Sequence, residues 1–218
     1  MTFITGLADP LGSGGTAVAI VLFTLAVRTL LLPFVLRQAR SAKVRERLAP
    51  KVRQLQKRHK RDPQRLHKEV GALYAKEGSS QFAGVLPGLA QVPFMWLMYQ
   101  VATHPTALVG HDLFGAPLGQ QMAGMIAKYG LISGPMLVFV VLVAAIAVVA
   151  LLSWHRTRKT MPAEQPELMR KILPLMSFGA VAAALVLPLA AGLYLLVSTT
   201  WTLVERALLF RPVAIQPL

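Results

Sequence analysis

The amino-acid sequence predicts an all-α, polytopic membrane protein with five transmembrane helices and a basic cytoplasmic helical hairpin. Hydrophobic residues make up 55% of the 218 residues and charged residues only 15%, against about 25% charged residues in an ordinary globular chain. The net charge of +14 must therefore be placed between the apolar segments, where it sets the topology. Cysteine is absent from the sequence, which excludes disulfides and thiolate metal sites within it.

The first three spans are predicted from apolar stretches of membrane length. The first covers residues 16–36 and contains one charge, Arg28. The second covers residues 81–103 and includes Gln91, and the third covers residues 131–153. Each is close to the roughly 20 residues that a helix needs to cross a bilayer.

The last apolar stretch, residues 172–204, is too long for one span. As a single helix it would measure roughly 50 Å, against a hydrocarbon core of about 30 Å. Basic residues flank it on both sides, and a hairpin that turns at Pro188 keeps both groups in the cytoplasm. We therefore expect a fourth span at 172–187 and a fifth at 188–210.

The distribution of basic residues predicts the orientation. Residues 37–80 hold 14 Lys and Arg and residues 154–171 hold five, whereas residues 1–15 hold none and residues 104–130 only one. By the positive-inside rule, the N-terminus and the 104–130 loop are external, and the 211–218 tail is cytoplasmic. Segment 1–15 lacks a basic n-region, so we expect no cleavable signal peptide. The sequence predicts a multi-pass protein of the cell membrane.

The basic segment 37–80 is predicted to be a helical hairpin. Apolar residues recur at intervals of three and four in both halves, which is a helical pattern. Asp62 followed by Pro63 is typical of a helix start, with an N-cap and proline in the first turn. The outer faces are basic, and such a segment next to a span attracts anionic lipid by about 1 kcal/mol per charge.

Polar side chains in four spans are expected at one depth in the cytoplasmic half of the membrane. Counted from the cytoplasmic ends at 1.5 Å per residue, they lie roughly 9–13 Å deep; they are Arg28, Gln91, Ser177, Ser198 and Thr199. An arginine at this depth costs at least about 2.5–3.5 kcal/mol, which favours a hydrated half-channel around it. The alternatives are a structural arginine that bonds a neighbouring helix, and hydroxyls that bond their own helices. The third span has no such group and is expected to face lipid.

Catalytic signatures are absent from the sequence. It has no P-loop, no HExxH, no GxSxG and no dinucleotide-binding glycine pattern. The five histidines are scattered on both sides of the predicted membrane. We therefore expect no enzyme activity, no cofactor and no metal site.

Four short motifs, in this order and spacing, resemble the YidC/Oxa/Alb membrane protein insertases over roughly residues 16–210. They are AVRTLLLP around Arg28, LPGLAQVPF around Gln91, LPLM at 173–176, and Pro188 followed by LYLLVS at 193–198. The chain departs from the family pattern at Thr199, where Asn is usual, and at Glu205, where Gln is usual.

The resemblance implies an insertase that moves hydrophobic segments of nascent membrane proteins from the cytoplasm into the bilayer. It implies a hydrated substrate groove with a positive charge at Arg28 and further residues along it: Gln91, Ser177, Tyr194, Ser198, Thr199 and Trp201. A ribosome and a Sec translocon are open as partners.

Two other functions are compatible with the residues. One is a transporter or channel subunit that uses Arg28 as an anion site. The other is a non-transporting membrane anchor whose basic hairpin binds lipid or a ribosome. Specific nucleic-acid readout is not expected, because the only aromatic residue of the hairpin, Tyr74, lies on its apolar stripe.

Overall fold

The computed structural model describes residues 14–60, 62–78, 108, 110–161 and 167–209. The second predicted span, with Gln91, lies outside the described residues. The elements are, in chain order, α1 (Gly15–Arg58), α2 (Pro63–Lys76), β1 (Asp112–Leu113), β2 (Ala116–Pro117), α3 (Met122–Tyr129), α4 (Gly134–Thr160), α5 (Glu167–Leu175), a 3₁₀ turn (Met176–Phe178), α6 (Gly179–Val186) and α7 (Leu189–Leu209).

The described chain divides into two compact units. The bundle unit contains residues 14–30, 108, 110–161 and 167–207, and the hairpin unit contains residues 31–60, 62–78 and 208–209. Helix dominates both, as predicted, and the only described sheet is the two-stranded antiparallel ribbon β1–β2.

Three helical segments in the described part of the chain are long and apolar enough to cross a membrane. They are α1, α4 and the stretch Glu167–Val186. Helix α7 has sufficient length but carries Ser198, Thr199 and Thr200 in its middle and Glu205 near its end, and it is not among the three. The count of five spans remains a prediction.

Helix α1 is longer than the predicted first span. The predicted span covers residues 16–36, and the helix continues beyond it to Arg58 through Pro33 and Pro50. A proline inside a helix removes one backbone hydrogen bond. The residues after Pro33 include many good helix formers and no glycine that would end the helix. The predicted span and the first helix of the hairpin are therefore one helix.

In the hairpin unit, α2 begins where the sequence predicts it. The side chain of Asp62 accepts a hydrogen bond from the backbone N–H of Arg65 at 3.0 Å, and Pro63 occupies the first helical position. Two contacts join α2 and its C-terminal end to α1: the ion pair of Arg47 with Glu77, and a hydrogen bond of 3.1 Å between His59 Nε2 and Glu69 Oε2.

In the bundle unit, one face of α4 forms the centre of the core, so the third span, which the sequence predicts to face lipid, also packs against protein on one side. Its buried residues recur at helical spacing: Met136, Phe139, Leu142, Ile146 and Ala150. Between them lie exposed apolar residues such as Val141 and Val148. An all-apolar helix can pack on one side and face lipid on the other, so hydropathy alone does not separate the two faces.

The predicted external loop 104–130 contains ordered structure. We call residues 110–133 the cap; it includes β1, β2 and α3. Ala116, Leu118 and Met125 of the cap are fully buried, in the same core as α4. His111 shares a hydrogen bond of 2.8 Å with Thr16 in the first turn of α1.

The cap also completes the start of α7. The chain leaves the helical conformation at Leu187, whose extended backbone is typical of a residue before proline. The first backbone N–H groups of a helix have no partner within it. Leu189 donates its N–H to the carbonyl of Gln120 at 3.0 Å, and Ala190 donates to that of Leu118 at 2.9 Å.

Candidate functional site

The structure brings Arg28 and Ser198 together in the bundle unit. The guanidinium Nη2 of Arg28, on α1, donates a hydrogen bond to the hydroxyl of Ser198, on α7. Arg28 is half-buried and Ser198 is only 5% exposed. Ser198 in turn donates to the phenol oxygen of Tyr194 at 3.0 Å. Two residues that are 170 positions apart in the sequence thus form one polar network, and both were candidate site residues.

The network lies at one end of a polar and aromatic stripe along α7. We call this set, spaced by four, three and four residues, the α7 stripe: Tyr194, Ser198, Trp201 and Glu205. Residues at these intervals share one face of an α-helix. The indole Nε1 of Trp201 donates to Glu205 Oε1 at 2.5 Å, and Glu205 is only 8% exposed. The stripe therefore consists of two hydrogen-bonded pairs, stacked about 10 Å apart along the axis.

Thr199 bonds its own helix, which is the alternative that the sequence left open for the hydroxyls of the predicted spans. Its Oγ1 donates to the carbonyl of Leu195, one turn earlier in its own helix, at 2.6 Å. Thr24 on α1 does the same toward Ile20, also at 2.6 Å. A hydroxyl that is bonded to its own backbone no longer needs a partner across the bundle. Thr199 is therefore not part of the Arg28 network.

The two other predicted polar residues are not joined to Arg28 by the described structure. Ser177 is half-buried in the 3₁₀ turn between α5 and α6. Within the described ranges, no hydrogen bond connects it to Arg28 or Ser198. Gln91 lies outside those ranges. Of the four helices in the predicted polar layer, three lie in the described residues and two of these are joined by a hydrogen bond.

The charge of Arg28 is bonded but not neutralised by its described partners. Ser198 is a neutral acceptor, and no carboxylate in the described segments forms an ion pair with Arg28. A charged hydrogen bond contributes about 1.5–3 kcal/mol, which offsets part of the cost of an intramembrane arginine. Within the described ranges, Arg28 is thus held by a hydrogen bond and not by an ion pair.

Sequence reasoning missed Glu205 as a buried member of this face. Its spacing of four from Trp201 would have indicated the contact, since residues at i and i+4 are neighbours on a helix. The described residues contain no group of three or more His, Cys, Asp or Glu side chains that could hold a metal ion.

Comparisons with known proteins identify the family. The family described as "60Kd inner membrane protein" matches residues 10–215. The membrane protein insertase YidC of Clostridium perfringens is 36% identical over 109 residues, which cover 50% of this chain and 45% of that protein. The YidC of Alkalihalophilus pseudofirmus is 32% identical over 123 residues, which cover 53% of this chain and 48% of that protein. The YidC of Wolinella succinogenes is 35% identical over 119 residues, which cover 50% of this chain and 22% of that protein.

Each of these matches spans less than half the length of the relative. The family match, in contrast, covers nearly the whole of this chain, and the described part contains three helical segments that are long and apolar enough to cross a membrane. The resemblance to YidC-type proteins is therefore confirmed, and the chain is a multi-pass membrane protein that belongs to the 60Kd inner membrane protein family.

Proposed function

We propose that this protein is a membrane protein insertase, which transfers hydrophobic segments of nascent membrane proteins from the cytoplasm into the bilayer. The observation that carries the proposal is the Arg28–Ser198 hydrogen bond. It fixes a positive charge between two helices of the bundle without an opposite charge among its described partners. Membership of the family supports the same function, because the relatives are named membrane protein insertases.

The positive charge attracts the polar tail that precedes a substrate's hydrophobic segment. Two opposite charges 4 Å apart attract each other by about 1 kcal/mol in bulk water and by about 4 kcal/mol at an effective dielectric constant of 20. An acidic tail beside Arg28 is thus stabilised part of the way across the membrane. This lowers the barrier to moving the tail across the remaining half.

Partition of the apolar segment into lipid then completes the transfer. Removing apolar surface from water yields about 25 cal/mol per Å², so a segment of membrane length supplies the driving force without nucleotide hydrolysis. In this proposal no residue is catalytic and no cofactor is needed. The protein lowers the barrier, and the substrate's own hydrophobicity drives the step.

The proposed groove has a defined set of residues. Arg28 is its electrostatic centre, and Ser198 and Tyr194 hold the guanidinium in place. Trp201 extends the same face of α7. Gln91 and Ser177 complete the groove as residues that keep it hydrated, and Thr199 lies at the same depth with its hydroxyl bonded to its own helix.

The hairpin unit is proposed to be the cytoplasmic capture surface. Its basic faces are suited to anionic lipid and, as a further possible partner, a ribosome; a Sec translocon is the other candidate partner. This assignment requires the topology expected from the charges, with the N-terminus outside and the C-terminus in the cytoplasm.

Site-specific crosslinking tests the proposal. The 218-residue sequence has no cysteine, so a photoreactive probe on the single cysteine of a Gln91→Cys variant has a unique position. A matched control carries the probe at Leu151, on the exposed side of α4. We expect crosslinks from Gln91, but not from Leu151, to a nascent single-span protein that inserts into liposomes only when this protein is present.

Insertion that is equal in liposomes without the protein would contradict the proposal. Anion flux through the same liposomes, without insertion, would instead support the channel function.

A further inference from the structure

The outer surface of the cap exposes large apolar side chains. Phe114 is 86% exposed at the tip of the β1–β2 ribbon, where its φ of 51° keeps the turn tight. Leu131 is 69% exposed, and Ile132 is completely exposed. Phe114 lies in the β1–β2 turn, and Leu131 and Ile132 lie in the turn between α3 and α4, so the cap exposes large apolar side chains at two places; single exposed apolar residues are ordinary, whereas groups of them mark surfaces that meet another apolar phase.

The packing of the cap fixes where this surface lies. The buried side of the cap shares a core with Met136 and Phe139, in the first two turns of α4. Helix α4 is 27 residues long and is one of the segments apolar enough to cross a membrane. A segment that packs on the first two turns of such a helix is at the boundary between the hydrocarbon and the headgroups.

The residues of α3 have the chemistry of this boundary. Lys128 places its Nζ 5.3 Å from the centre of the Tyr129 ring, and Ile126 is exposed on the same short helix. Aromatic rings are enriched at the level of the headgroups, and short amphipathic helices with basic residues lie in the same plane.

We propose that the cap is a lipid-binding element, which inserts Phe114, Leu131 and Ile132 into the bilayer at the N-terminal end of α4. Lys128 lies at the level of the lipid phosphates, where its ammonium group pairs with them. Because the cap also supplies the carbonyls that complete the start of α7, this anchorage fixes the depth of the helix that carries the α7 stripe. The inference does not depend on the proposed function.

Depth measurements with spin labels test the inference. Single cysteines at Phe114 and at Ile132 carry a nitroxide, and the protein is reconstituted into vesicles of phosphatidylcholine and phosphatidylglycerol. Val148, on the exposed side of α4, is the reference for lipid, and Gln64, exposed on α2, is the reference for water. We expect labels at both cap positions to collide more often with oxygen than with a water-soluble nickel complex, as at Val148.

Two results would overturn the inference. Collision rates at Phe114 and Ile132 that match those at Gln64 would place the cap in water. Dipolar broadening between cap labels, persisting when the protein is diluted tenfold in lipid, would show that a second copy of the chain covers the surface instead of lipid.

Discussion

Replacing Ser198 with alanine removes the hydroxyl that links α1 and α7. The substitution deletes the acceptor of the Arg28 guanidinium and the donor to Tyr194 in one step. Because Ser198 is almost fully buried, we expect little compensation by solvent. The substitution isolates the network, since alanine fits the same space and retains a high helix propensity.

The expected magnitude comes from the type of bond. A hydrogen bond to a charged group contributes about 1.5–3 kcal/mol in proteins, whereas couplings between membrane helices average about 0.6 and reach about 1.7 kcal/mol. Because the donor is charged, we expect this pair to lie near the upper end of the range for membrane helices, with a coupling free energy between Arg28 and Ser198 of about 1–2 kcal/mol. The matched control is Thr199→Ala, because Thr199 bonds only its own helix among the described contacts.

Unfolding in mixed micelles, followed by the loss of helical signal, measures these free energies. The double-mutant cycle contains wild type, Ser198→Ala, Arg28→Gln and the double variant. We expect Ser198→Ala to lose clearly more stability than Thr199→Ala. A coupling within about 0.3 kcal/mol of zero, the usual error of additivity, would refute the reasoning, as would equal losses for the two alanine variants.

Two other substitutions have expected outcomes. A Cβ at Gly192 would lie 2.9 Å from Leu142 Cδ2, so we expect Gly192→Ala to cost about 1–3 kcal/mol by overpacking. The control is Gly179→Ala, which has open space around it and should be neutral or stabilising by up to about 1 kcal/mol. Thermal unfolding that ranks the two variants in the reverse order would contradict the packing of α7 on α4. Glu205→Gln keeps an acceptor for the indole of the half-buried Trp201, whereas Glu205→Leu removes this hydrogen bond and should cost about 0.5–1.5 kcal/mol. Equal unfolding midpoints for the two variants would contradict a role for that hydrogen bond.

Sequence reasoning placed Arg28 and Ser198 in one layer, though not in contact, because depth in a membrane can be counted. Helices of fixed rise between two aqueous boundaries place residues in layers, so an arginine and a serine at similar depths were expected to be near each other. Depth does not specify which face of a helix a residue occupies. Thr199 is at the same depth as Ser198 but bonds its own backbone.

Features that depend on packing were less predictable. The hydropathy of α4 does not indicate which side is buried, because both sides of the helix are apolar. The β1–β2 ribbon has only two residues in each strand, too few for an alternating pattern to be recognised. The continuity of α1 past Leu36 was not predicted, because a change from apolar to basic residues is not a helix stop signal and gives no sign of whether a helix continues.

The charge of Arg28 is the central claim, and insertion of two substrates by Arg28→Lys and Arg28→Ala tests it most directly. One single-span substrate has an acidic tail and the other a neutral tail, and each variant is compared with wild type at matched amounts in the membrane. Lysine keeps the charge but not the planar, multidentate guanidinium, so the account predicts that Arg28→Lys retains much of the activity. It predicts that Arg28→Ala no longer inserts the acidic-tail substrate but still inserts most of the neutral-tail substrate. Equal loss of both substrates in Arg28→Ala would contradict electrostatic attraction as the role of this residue.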